Sequence, residues 1–180
     1  INARVSGGIV RGNYIGTDAT GTMDRGNGSD GVTIEASGTL AVGGLNAADG
    51  NRIAFNRRNG IFRQSRFNSI YLSNEIFSNG ALGIDTSLGQ TPDGPNPQNV
   101  GINQLLNSPV LLTAASANGT TTITGLMRGV AGGGPVLFQF FANPACDASS
   151  FGEGRTLLGT RTIAAPAQGD GELLQCGPRL

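Results

Sequence analysis

Three residue types are missing outright from this chain of 180 residues: histidine, lysine and tryptophan. Without histidine the commonest general base, proton shuttle and metal ligand is gone. Serine or cysteine activated by histidine cannot be assembled, and Ser–Lys catalysis fails with the lysines. A zinc site of Cys/His type lacks its ligands. All twelve basic residues are Arg, and twelve acids balance them. A formal charge of zero gives no general drive toward nucleic acid or an anionic membrane, and the few aromatics do not interleave with the basic residues as single-strand binding would need. Charged residues make up 13%, about half the usual share. No apolar run reaches the ~20 residues of a membrane-crossing helix. Cysteine is nearly absent too. Cys146 and Cys176 are read as one disulfide contributing about 3–4 kcal/mol in an oxidising compartment, with two independent thiols as the alternative. The opening Ile1-Asn2-Ala3-Arg4 has neither Met nor an apolar leader, which reads as a mature, processed or excerpted chain.

Glycine is what the chain has in excess: 30 residues, roughly twice the average frequency. Asn, Ser and Thr accompany it. The glycines have no period of three, so collagen is excluded. Ile, Val, Leu and Phe recur throughout, unlike a disordered tract. Many short strands joined by tight turns produce this mixture, because Gly and Asn supply the positive φ that such turns need. The composition suits an extracellular protein.

A repeat fills the first half. Asn51-Arg-Ile-Ala-Phe-Asn-Arg-Arg-Asn-Gly-Ile61 superposes on Asn74-Glu-Ile-Phe-Ser-Asn-Gly-Ala-Leu-Gly-Ile84 with a shift of 23 residues. The shift aligns Asn51 with Asn74, Ile53 with Ile76, Asn56 with Asn79, Gly60 with Gly83 and Ile61 with Ile84. A looser copy begins at Asn13-Tyr14-Ile15 and resumes at Gly31-Val32, with an insertion-like stretch from Gly16 to Asp30 between. Segments such as Arg52–Phe55 and Ser69–Leu72 are too short and too interrupted by Asn and Gly for helices. A unit of about 20–30 residues with two or three short strands is one turn of a solenoid. Its coils stack in parallel at about 4.8 Å. Ile53 and Ile76 then join an internal apolar ladder, Asn56 and Asn79 bond along a turn, and Arg52 falls over Glu75 as an ion pair.

These phrases, together with Gly12-Asn-Tyr-Ile-Gly-Thr-Asp-Ala-Thr-Gly21, Thr91-Pro-Asp-Gly-Pro-Asn96, Asn107-Ser-Pro-Val-Leu111 and Phe140-Phe-Ala-Asn-Pro-Ala-Cys-Asp147, resemble the right-handed parallel β-helix repeat proteins of bacteria. The resemblance covers most of the chain. It implies a large secreted surface protein in which the helix gives way to an immunoglobulin-like β module, and it implies no particular reaction.

The expected organisation is all-β: a short right-handed parallel β-helix of about four coils over residues 1–90, a Pro/Asn-rich connector over 91–108, and a small immunoglobulin-like antiparallel sandwich over 109–180. The connector contains Pro92, Pro95 and Pro97, which lack the N–H a ladder needs. After it come alternating runs at Pro109–Ala114, Thr120–Leu126, Pro135–Phe141, Thr156–Ile163 and Glu172–Cys176, about five strands where an immunoglobulin-like sandwich has seven or more. Unpaired edges favour pairing with another chain. An uncapped first coil adds a second open end, so either the chain is an excerpt of a longer protein or both ends meet neighbouring subunits in a homo-oligomer or polymer.

The chemistry-bearing candidates are few. Two carboxylates at a set separation would serve glycoside hydrolysis, but no two acids share a stacked position in the 23-residue register, and no catalytic residue is assigned. Asp85 and Asp93 flank a loop and could offer oxygen ligands to calcium, with solvated turn acids as the alternative. Arg52, Arg57, Arg58, Arg63 and Arg66 form the one charge cluster, either a patch for an acidic polysaccharide or outward residues that keep a stacked sheet soluble. Gly132-Gly133-Gly134 has no following helix and reads as a turn rather than a phosphate loop. Asn27 and Asn118 begin glycosylation triplets. The reading that follows is a non-catalytic extracellular structural or adhesive protein at a cell surface, self-assembling through open strand edges or β-helix ends. A glycan-binding module using the Arg-rich face is the first alternative, and a polysaccharide lyase or hydrolase the second. No nucleic-acid partner and no membrane insertion are expected.

Overall fold

The computed structural model describes residues 1–4, 6–35, 37–64, 69–86, 109–127, 135–148, 151–164 and 172–176. The connector expected at 91–108, and with it Asp93, lies outside them, as does Arg66. Among the described residues the chain is all-β, with a 3-10 turn at Ala47–Asp49 as its one helical element. No helix among them is long and apolar enough to cross a membrane. The chain divides into two compact units, residues 1–89 with 141–157, and residues 90–140 with 158–180.

In the first unit ten short strands run in sequence: β1 (Asn2–Ala3), β2 (Ile9–Val10), β3 (Tyr14–Ile15), β4 (Val32–Ile34), β5 (Ala41–Gly43), β6 (Arg52–Ala54), β7 (Ile61–Arg63), β8 (Ile70–Leu72), β9 (Glu75–Phe77) and β10 (Ile84–Asp85). They make three parallel sheets, β1-β4-β7-β10, β2-β5-β8 and β3-β6-β9. The chain thus visits the three sheets in turn, three times, and re-enters the first. This is the strand order that stacked coils require. The register is the one the repeat implies: Arg52 pairs with Glu75, Ile53 with Ile76, and Ile61 with Ile84. The looser copy aligns as well, Tyr14 with Arg52 and Val32 with Ile61.

Two- and three-residue strands bury few side chains each, so stacking has to supply the core. Val32, Ile34, Val42, Ile53 and Ile61 are fully buried and pack with Ala3, Val10, Ile15, Leu40 and Ile76 into one cluster. Each fully buried Val or Ile is worth about 1.5–3 kcal/mol relative to exposure. The backbone has to bend sharply between sheets. At Gly43 (φ +84°) a Cβ would lie 1.8 Å from the Leu72 carbonyl oxygen, so only glycine fits that corner.

Asparagine columns tie the coils together at the other corners. Asn13 and Asn51 each donate both the backbone N–H and Nδ2 to the Oδ1 of the Asn one coil on, Asn51 and Asn74, at 2.8–3.1 Å. A second column repeats the pattern through Asn27, Asn56 and Asn79 at 2.7–3.2 Å. The spare amide hydrogens of Asn51 and Asn74 go to the Val10 and Val42 carbonyls. The residue immediately before the ladder Asn is left-handed at Gly12, Phe55, Ser73 and Ser78. That conformation turns the corner and points the next side chain inward. It costs a non-glycine residue about 1–2 kcal/mol, which the buried bonds offset.

In the second unit the five expected strands are all present: β11 (Val110–Ala117), β12 (Thr120–Met127), β13 (Pro135–Ala142), β14 (Thr156–Ala164) and β15 (Glu172–Cys176). β11, β12 and β15 form an antiparallel sheet, and β13 pairs with β14. Asn118 and Gly119 both have positive φ and join β11 to β12 in a two-residue turn, the type I′ geometry that matches strand twist. Ile123 of β12 packs with Phe138 and Phe140 of β13 and with Leu158 and Ile163 of β14, so the two sheets share a core. One boundary differs from the expectation. Residues 141–157, expected inside an unbroken 109–180 module, belong with the coiled unit. The reason is a set of hydrogen bonds described below.

Replacing Asn56 by Ala strands the buried donors and acceptors of two coils. Asn56→Ala should lower unfolding free energy by about 2–4 kcal/mol, read from urea midpoints. Asn46→Ala, at an exposed position bonded to Asp49, should change it by no more than about 0.5 kcal/mol.

Candidate functional site

Where each Asn gives two donors to the next side-chain oxygen, the last Asn of the column is left with two donors to place. A carboxylate answers this need, having oxygens and no competing hydrogen. In the column through Asn56 that acceptor is Glu153. Its carboxylate takes the Asn79 backbone N–H at 3.2–3.3 Å and Asn79 Nδ2 at 2.8 Å. Beside it, Gly154 accepts the backbone N–H of Ile76 at 2.8 Å. The Arg155 guanidinium lies 4.6 Å from the Phe77 ring centroid. Asn143 closes the segment by donating to the Glu153 carbonyl and accepting from the Arg155 N–H. Residues 153–155 therefore stand on β9 as a further rung would, which is why this stretch belongs to the coiled unit. Glu153 is buried. Burial raises its pKa, the Asp147 charge adds to the rise, and the Asn79 donors oppose it.

A third column runs with the opposite polarity. Asn59 donates its N–H and Nδ2 to Asp30 Oδ1 at 3.0 Å, while its own oxygen accepts from Leu82 N–H. Asp30 is the acid that ends this column. Asp85 also receives Asn59 Nδ2, at 3.4 Å. One of the two proposed calcium ligands thus belongs to a structural column, and the other, Asp93, lies outside the described residues. Among the described residues no three His, Cys, Asp or Glu side chains gather closely enough to hold a metal ion. Asp18, within the 16–30 excursion, accepts from Thr20 Oγ1 and from the N–H groups of Thr22 and Met23, which holds its pKa down to about 2. Its oxygens close their own loop.

The five-arginine patch does not survive as a patch. Arg63, expected on the surface, is fully buried. It pairs with Ile34 in the sheet and points inward as Ile61 does. Its guanidinium donates to Ser69 Oγ at 2.6 Å and to the Gly38 carbonyl at 3.2 Å. Burial lowers its pKa and raises that of the adjacent Tyr71. Arg57 and Arg58 are exposed at the turn between sheets, with Arg58 6.0 Å from the Phe62 ring centroid. Arg52 sits in the third sheet, bonded to Glu75 Oε2 through Nε at 2.7 Å and Nη2 at 2.6 Å. That pair is partly exposed and contributes about 0.2–1 kcal/mol.

Arg52 and Glu75 line an open groove of about 300 Å³ together with Gly12, Tyr14, Ala48 and Ser73. Tyr14, Arg52 and Glu75 are consecutive members of one column across three strands. The Arg52 guanidinium lies 5.9 Å from the Tyr14 ring centroid. Gly50 also lines it and packs so closely on the next coil that a Cβ there would meet the Ser73 carbonyl oxygen at 1.9 Å. Tyr14 and the groove had no sequence signal beyond the alignment of Tyr14 with Arg52.

Cys146 is an exposed free thiol, and the side chain of Cys176 lies outside the described residues, so the expected disulfide is not part of the structure. The amide of Asn27 is committed to Asn56, which leaves the exposed turn residue Asn118 as the more accessible glycosylation triplet. No family model, no curated protein and no solved structure matches the chain.

Two outcomes follow for the buried charges. Because Glu153 has a raised folded pKa, the native state binds its proton more tightly than the unfolded chain. The stability of the wild type relative to Glu153→Gln should therefore increase as pH falls from neutral toward the ordinary carboxylate range, measured by urea titration of both proteins across that window. Arg63→Ala should cost about 3 kcal/mol through lost packing and stranded polar partners. Arg57→Ala and Arg58→Ala should each stay within about 0.5 kcal/mol.

Proposed function

We propose that the chain is a non-catalytic structural or adhesive module of an extracellular surface protein, a short right-handed parallel β-helix joined to a small immunoglobulin-like sandwich. The observation that carries this reading is where the polar side chains are spent. Eight of them, Asn13, Asn51, Asn74, Asn27, Asn56, Asn79, Asn59 and Glu153, bond coil to coil or close a column. The interior Arg63 is held the same way, and the groove carboxylate Glu75 is tied to Arg52. Such an arrangement resists unfolding along the coil axis and leaves little for chemistry. The surface location rests on the family resemblance and on the lysine-free, Gly/Asn/Thr-rich composition.

Self-assembly belongs to this reading for one reason. β11 is exposed along its whole length, pairs on one side with β12, and carries Val110, Leu111 and Leu112 at 54–61% exposure. An apolar strand edge of that kind favours pairing with another chain. Acidic-glycan binding through five arginines has less support, with Arg63 interior and Arg52 neutralised.

The test has two arms. Incubation with neutral and acidic polysaccharides should release no reducing ends or unsaturated products beyond a heat-unfolded control; release abolished by Glu75→Gln would put an enzyme in place of the scaffold. Light scattering should show concentration-dependent association that Leu111→Lys removes, and a monomer at every concentration would remove self-assembly from the reading.

A further inference from the structure

We infer that the groove beside the third sheet is a binding site for a neutral saccharide, with Tyr14 as its stacking platform and the Arg52–Glu75 pair as its hydroxyl clamp. Tyr14 is 54% exposed and lines the groove, with the Arg52 guanidinium 5.9 Å from its ring centroid. A ring face carries negative charge density and attracts the weakly positive C–H face of a pyranose. Next along the column stands a guanidinium with fixed donors, and beyond it a carboxylate with acceptors. Adjacent sugar hydroxyls, each both donor and acceptor, match that pair. Strand spacing sets Tyr14, Arg52 and Glu75 over about 10 Å, a span that suits a short oligosaccharide lying along the column. The groove volume of about 300 Å³ is at the lower end of ligand pockets.

The charge on the ligand follows from the ion pair. Arg52 already holds Glu75 through two nitrogens. A uronate carboxylate would have to displace Glu75 or lie against it, and an amino sugar would face Arg52. A neutral sugar does neither. There is free space above Gly12, where a Cβ would find its nearest neighbour, the Ala48 carbonyl oxygen, at 4.0 Å. The scaffold reading assigns no ligand to this surface, and the site adds one.

The chain has no Trp, and its other tyrosine, Tyr71, is half-buried. A ligand-dependent change in tyrosine emission that is lost in Tyr14→Ala therefore reports on Tyr14. The full chain is titrated with neutral gluco-, manno-, galacto- and xylo-oligosaccharides and with an oligogalacturonate, followed by tyrosine emission and by amide chemical shifts. At least one neutral series should shift the residues around Tyr14 and Glu75. Tyr14→Ala should weaken binding about tenfold or more, and Glu75→Gln by about fivefold. Tyr14→Phe keeps the ring and should stay within about threefold. The double variant Arg57→Ala, Arg58→Ala should bind as the wild type does. The inference is overturned if no neutral series shifts these resonances. It is equally overturned if the acidic oligosaccharide binds more tightly than every neutral one, or if Tyr14→Ala, with unchanged amide spectra elsewhere, binds like the wild type.

Discussion

A backbone N–H and its own side-chain amide, both donated to one carboxamide oxygen on the neighbouring coil, is the constraint on which the coiled unit depends. Strands of two or three residues have too few ladder bonds to hold a register by themselves. The asparagine at the corner supplies what they lack. It satisfies a backbone donor where the sheet ends and points a buried amide along the stack. A slip by one residue would break both bonds and turn the apolar set outward. The left-handed residue before the Asn at Gly12, Phe55, Ser73 and Ser78 is the local cost of the device, and the column is its return.

Columns of this kind have direction, and direction requires an end. Two of the three run toward the later coils, and in the column through Asn56 Glu153 accepts the last donors. The third runs the other way and ends on Asp30. In both cases a carboxylate stands where a further Asn would sit, since it accepts twice without needing to donate. Residues 153–155 consequently belong with the coiled unit rather than the second one, although they lie between β13 and β14 in sequence. An acid buried for this purpose brings a desolvation cost, visible in the raised pKa of Glu153.

Much of this was legible in the sequence, and the parts that were not share a cause. The 23-residue shift identifies the register, the Asn stacking and the Arg52–Glu75 pair, because stacking aligns equivalent positions whatever their neighbours. The five strands of the second unit are legible from alternation and glycine. The role of Glu153 is not, because it lies 74 residues from its partner Asn79 and repeats nothing. The arginine cluster is illegible for a different reason: proximity in sequence is not proximity on a face. Strand alternation held the correction, since Arg63 is two residues from the interior Ile61 and so shares its side. Tyr14 gave no warning of its exposure, which depends on how the neighbouring turn at Ala47–Asp49 leaves a groove open.

The functional picture rests on the same bonds. A unit whose asparagines are committed to one another is suited to persist and to present a surface, and the groove at Tyr14 is the part of that surface to which we assign a ligand. The most direct test of the account is hydrogen exchange of the Asn side-chain amides by NMR. The Nδ2 protons of Asn51, Asn56, Asn74 and Asn79 should exchange orders of magnitude more slowly than those of the exposed Asn46, at rates set by opening of the whole coil. Exchange of all five within the same short time would show that the columns are not held in solution and would contradict the account.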